Sequence, residues 1–185
     1  MIALGIDCAT ASGWGLVARE NRRERVLDHG VADLSGKHGR PSEVISALVR
    51  RIAQNAALDG LPVAIELPYL GHGIAQNVVT LRTLARFCGR WEQAFGVYGA
   101  DVELVMASDW QRRILGAFGG RKRQDRKKAA QLWVLGEFGL RLSEDGADAI
   151  GIATDLLRGR DSAARLDAAA TIRATLTGSM ARGNT

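Results

Sequence analysis

The chain has 185 residues, 46% hydrophobic and 24% charged, with a formal net charge of +5. That length predicts one domain or one with an appendage, able to bury a core without disulfides, and the composition excludes a disordered or Pro-rich linker protein. The longest uncharged window, Leu67 to Leu81, contains Gln76 and Asn77 and falls short of the ~20 apolar residues of a membrane span; no basic leader precedes Asp7, so no signal peptide is read either.

Residues 2–7 form an apolar run that closes on Asp7. Gly13 to Val17 predicts a second strand and Arg25 to Leu34 a third, with a turn at Asn21, so the chain opens as a three-strand meander. Pro41 opens a helix, with Ser42 as its expected cap and Val44, Ile45, Leu48, Val49 and Ile52 along one face. Pro62 to Glu66 is a buried-type strand that again ends on a carboxylate. The helix expected over Ile74 to Phe95 has apolar residues at Val78, Leu81, Leu84, Ala85, Cys88, Trp91 and Phe95. That is wider than the roughly 100° stripe one core requires, and it predicts a second buried contact, such as a partner subunit. Arg82, Arg86 and Arg90 form a basic line opposite. Val102 to Met106 reads as a strand, Ser108 as the cap of a helix through Leu115, and Gly116 to Gly120 as a loop. Helices follow over Gln124 to Phe138 and Glu144 to Arg158. The expected organisation is a mixed five-stranded sheet flanked by helices in a domain of residues 1–158. Residues 159–185 would be an extension with an optional helix and a disordered end.

Several motifs carry little chemistry. His29, His38 and His72 are scattered and have no metal-pair spacing. Cys8 and Cys88 permit at most one bridge and have no metal spacing either, which predicts a reduced, cytoplasmic protein. Cys8 lacks the basic neighbour that would make it a thiolate and reads as a small buried residue. Gly13-Trp-Gly15-Leu-Val-Ala18 fits a dinucleotide fingerprint in letters only, because it belongs on a strand rather than opening a helix. Gly116 to Lys122 lacks the second glycine and the Ser/Thr of a phosphate loop.

The carboxylates are more informative. Asp7 and Glu66 each end an apolar strand, and Asp145 and Asp148, three apart on a helix, share a face. Singly each is an ordinary cap or surface acid. Together, as strand, strand and helix pair, they predict a cluster whose mutual repulsion needs divalent cations. An all-oxygen set suits Mg²⁺ or Mn²⁺ rather than zinc, and two such ions about 4 Å apart can hydrolyse a phosphodiester. Arg121 to Lys128 holds six cations against one anion, just after Arg112 and Arg113. Charge so concentrated predicts a polyanion partner.

Ile2-Ala-Leu-Gly-Ile-Asp-Cys-Ala-Thr-Ala-Ser-Gly-Trp-Gly resembles the opening of RuvC-type Holliday junction resolvases, crossover junction endodeoxyribonucleases of the RNase H-like superfamily. Ala64-Ile-Glu66 followed by Tyr69 resembles their second acidic motif, and Asp145-Gly-Ala-Asp148-Ala-Ile-Gly-Ile-Ala their terminal helix, in matching order across about residues 2–157. The resemblance implies an RNase H-like α/β fold and a homodimer formed through the helix around Val78 to Phe95. It further implies Mg²⁺-dependent cutting of four-way DNA junctions by paired symmetrical nicks, with Mn²⁺ able to substitute. Asp7, Glu66, Asp145 and Asp148 would bind two ions per site, Asp7 bridging them. Tyr69 takes the place of the family's aromatic wedge near the crossover. Arg112, Arg113, Arg121, Lys122, Arg123, Lys127 and Lys128 are the candidate DNA-phosphate contacts. Cys8-Ala9 stands where the family has Pro-Gly, and the basic segment is richer than usual; both are similar to divergent phage and prophage resolvases. A broader branched-DNA debranching nuclease, a non-catalytic DNA-binding dimer and an actin-like ATPase relative are the alternatives, and a branch-migration motor as partner stays open.

Overall fold

The computed structural model describes residues 1–68, 78–116, 122–160 and 162–163. Five strands form one sheet: β1 (Ile2–Asp7), β2 (Ala11–Glu20), β3 (Arg23–Asp33), β4 (Pro62–Glu66) and β5 (Asp101–Val105). Their order across the sheet is β3-β2-β1-β4-β5. β2 is antiparallel to both β1 and β3, whereas β4 is parallel to β1 and to β5. The expected meander is therefore present, with longer strands than the apolar runs alone suggest. Its hairpin turns at Asn21 and Arg22, whose φ values of 49° and 66° fit the two-residue turns that match strand twist.

The pleat sorts large from small. Along β1, Leu4 and Ile6 face one way, with Trp14 and Leu16 of β2 and Val63 and Ile65 of β4, into the larger core. Helices α1 (Pro41–Ala53) and α2 (Val78–Gly96) cover that face. Alternate residues, Ala3, Gly5, Gly13, Gly15 and Ala64, are small, so the other face is smooth. α3 (Ala107–Leu115), α4 (Arg123–Phe138) and a fifth helix, α5, over residues 144–160 pack on that side.

α5 is buried almost all round: Ala147, Ala149, Ile150, Ile152, Ala153 and Leu157 are at most 1% exposed. It lies so close to the sheet that a methyl group at position 5 would stand 2.2 Å from the Ala149 carbonyl oxygen, and one at position 13 only 1.9 Å from that of Asp145. The glycines of β1 and β2 are thus the seat of α5.

Two caps differ from expectation. Arg40, not Ser42, is the N-cap of α1, because Pro41 occupies the first turn, where its missing N–H costs nothing. Met106, not Ser108, precedes α3. The first residues expected for α2, 74–77, lie outside the described residues, as do residues 117–120 of the loop after α3. α5 runs to residue 160, and apart from residues 162–163 the rest of the expected C-terminal extension lies outside as well. Among the described residues, no helix is long and apolar enough to cross a membrane.

Candidate active site

Strand parity positions the first two acids. Asp7 shares its face with Ala3 and Gly5, and Glu66 shares its face with Ala64, so both carboxylates emerge on the smooth side beneath α5. β1 and β4 are parallel with Ile6 opposite Ile65. One further step brings Asp7 level with Glu66 at the same end of the sheet. Asp7 is also the register partner of Gly13, the residue against which the start of α5 rests. Asp145 and Asp148, on the first turns of α5, are therefore delivered to the acid pair by the same glycine that lets the helix approach.

The electrostatics record this convergence. Burial, followed by repulsion from Glu66, Asp148 and Asp145, pushes the Asp7 carboxyl well above the ordinary carboxylate range. Burial, then Glu66, pushes Asp148 up to about 7. Burial raises Glu66 as well, against the Trp110 hydrogen bond and the charges of Lys127 and Arg123. Asp148 is 6% exposed, and its Oδ1 has no hydrogen-bond partner. A buried carboxylate oxygen left without a donor is costly, and a hard cation would satisfy it.

Lys127 of α4 brings a positive charge into the cluster. Its Nζ lies 3.0 Å from Glu144 Oε2 and 3.3 Å from Asp145 Oδ1, with the side chain 18% exposed. Burial alone would lower its ammonium; the contacts with Glu144 and Asp145 hold it above its usual value instead. Among the described residues, no three acid, histidine or cysteine side chains stand close enough to share one ion. The donor set nevertheless fits Mg²⁺ or Mn²⁺: four carboxylates, no thiolate or imidazole among them, and one orphaned buried oxygen.

Other expected residues fall in several settings. Arg112 is exposed and pairs with Asp109 at 3.3 Å. Arg113 forks onto the buried Asp155, with Nε 2.6 Å from Oδ1, and so ties α3 to α5. Lys122, Arg123 and Lys128 are exposed at the start of α4, and Arg123 is close enough to act on Glu66. Tyr69 and Arg121 lie outside the described residues, as does His72. Cys8 and Cys88 are buried free thiols, whose sulfurs donate to the carbonyls of Leu84 (3.5 Å) and Glu66 (3.7 Å). Two contacts at the site have no counterpart among the sequence motifs. Glu144 shares Lys127, and the Trp110 indole N–H donates to Glu66 Oε2 at 2.6 Å. A tryptophan in the polar segment of α3 carries no periodic signal that would have revealed this.

No family model and no curated protein matches the sequence. Solved structures do. RuvC of Thermus thermophilus in complex with a Holliday junction substrate superposes with a TM-score of 0.61 at 23% identity, over 84% of this chain and 92% of that one. A second structure of Thermus thermophilus RuvC gives 0.58 at 21% identity, over the same shares. A fowlpox virus Holliday junction resolvase gives 0.48 at 11%, over 88% and 99%. The Thermus thermophilus RuvC likeness shows the fold alone: a mixed five-stranded α/β fold shared with that structure.

Proposed function

We propose that this chain is a metal-dependent endonuclease that resolves four-way DNA junctions. The observation that carries the reading is the convergence of Asp7, Glu66, Asp145 and Asp148 from two strand ends and one helix, with burial and mutual repulsion raising Asp7 and Asp148. The fold supports it, since a RuvC of the same fold is known bound to a Holliday junction. Asp7, Glu66, Asp145 and Asp148 would hold two Mg²⁺ ions. Bound there, the ions supply a polarised water and charge stabilisation for the departing 3′ oxygen.

The chain's own residues do the rest. The four acids would hold the cations in place at the end of the sheet. Lys127 balances Asp145 and Glu144 from within the cluster. Arg112, Lys122, Arg123 and Lys128 are exposed near the α3–α4 junction and would take DNA phosphates, with Arg121 beside them in the sequence. Such contacts confer salt-sensitive affinity without sequence readout. Tyr69 is assigned to the crossover by its motif position. A junction with two-fold symmetry calls for two sites in an isologous dimer, and the exposed Val78 and Val79 at the start of α2, 56% and 79% exposed, are the surface we assign to it. The protein would act in the cytoplasm.

The test is a labelled four-way junction incubated with Mg²⁺, or with EDTA as control. The wild-type chain should give paired symmetrical nicks with Mg²⁺ alone. Asp7→Asn and Asp148→Asn should each abolish cutting while junction binding survives. Equal activity on flaps and Y-forks would reassign it as a broad debranching nuclease. Unchanged cutting by both variants would overturn the site.

A further inference from the structure

We infer that Trp110 is a positioning residue that presents the Glu66 carboxylate to its cation; this rests on the nuclease reading above. Glu66 ends β4 and has three side-chain torsions, so parity fixes the face it enters but not where its oxygens stop. The Trp110 indole N–H donates to Oε2 at 2.6 Å, a close contact by the standard of N–H···O bonds. The indole itself cannot drift. Trp110 is 0% exposed, is set in the first turns of α3, and lies against α5 so closely that a methyl group at position 151 would stand 2.6 Å from its Cζ3. Gly151 thus leaves the ring its place, and the ring leaves Glu66 one position.

The choice of donor matters chemically. Indole is neutral and only donates. It holds an ionised carboxylate in place without cancelling its charge, so Glu66 keeps its full attraction for a divalent ion. Lys127 does the opposite for Asp145: it neutralises while it holds. A buried tryptophan needs an acceptor for its one polar atom, and here that acceptor is a candidate metal ligand rather than a backbone carbonyl. Partners behind metal ligands set affinity by about 10–100-fold.

The experiment removes the donor and keeps the shape. Trp110 is replaced by 3-benzothienylalanine, a bicycle of the same outline with sulfur in place of N–H, and in parallel by phenylalanine (Trp110→Phe). Mn²⁺ binding to the full chain is measured by calorimetry without DNA, and junction cutting is followed as Mg²⁺ is raised. The benzothienyl protein should melt close to wild type and bind the junction in EDTA as wild type does. It should bind Mn²⁺ about tenfold more weakly and need correspondingly more Mg²⁺ to cut. Should Trp110→Phe unfold, the benzothienyl protein decides alone. Mn²⁺ affinity within twofold of wild type in that protein overturns the role of Trp110 and leaves the nuclease reading intact. A wild-type chain that neither binds Mn²⁺ nor cuts overturns the nuclease reading itself.

Discussion

Asp148 reads out the site's electrostatics without any substrate. In the folded chain its carboxyl holds a proton up to about pH 7, through burial and then Glu66; unfolded, it releases it near about pH 4. Between those values the unfolded chain binds fewer protons, so stability falls as pH rises. Asp7, raised by burial and then by its acidic neighbours, and Glu66, raised by burial, act in the same direction. Asp28 is the contrary case. Its hydrogen bonds from Arg51, both 2.7 Å, hold it below its usual range, so its contribution is lost only at more acid pH. Thermal melts without divalent cations should therefore show Tm declining between about pH 5 and 8. Asp148→Asn should flatten that slope and be the more stable protein at the upper end. Each tenfold change in proton affinity is worth about 1.4 kcal/mol, so the effect is at most a few kcal/mol. A slope of opposite sign, or none, would show that the carboxylates do not crowd one another in solution.

Among the elements, α5 and its seat decide most. Gly13→Ala must push the helix away, because the added carbon would lie 1.9 Å from the Asp145 carbonyl oxygen. We expect a loss of about 1–3 kcal/mol together with loss of cutting, since Asp145 moves with the helix. Gly136→Ala is the control: it lies within α4 with nothing within 4 Å, so it should stabilise by roughly 0.5–1 kcal/mol and leave cutting unchanged. Equal melting temperatures for the two variants would refute the seat. Part of this was legible in the sequence: Asp7 and Glu66 each close an apolar strand, which puts both near an end of the sheet. Spacing likewise put Asp145 and Asp148 on one helix face. What the sequence concealed was tertiary. Ser42 and Ser108 looked like caps, yet Pro41 and Ala107 begin their helices earlier. Phe87 joins the core of α2 outside the periodic set, while Val78, counted in it, is exposed. Lys127 read as a DNA contact in a basic run, and only the packing of α4 beside α5 shows it among acids.

On the scale of the whole molecule, α2 divides into two halves. Phe87, Cys88, Trp91 and Phe95 bind its later turns into the core, whereas Val79 near its start is 79% exposed. If that start is the dimer contact we propose, Val79→Asp should leave Tm nearly unaltered and shift the mass in solution from dimer to monomer. It should also turn paired nicks into single ones, as read by light scattering and by the junction assay. A Val79→Asp protein that remains dimeric would place the contact elsewhere. The order of the acids along the chain bears on how a ribosome makes this protein. Asp7 and Glu66 leave the exit tunnel early, but their partners arrive some eighty residues later, on the helix that must dock into the glycine seat. At about 5–20 residues per second, a nascent chain spends several seconds with only two of the four acids that the proposed site needs.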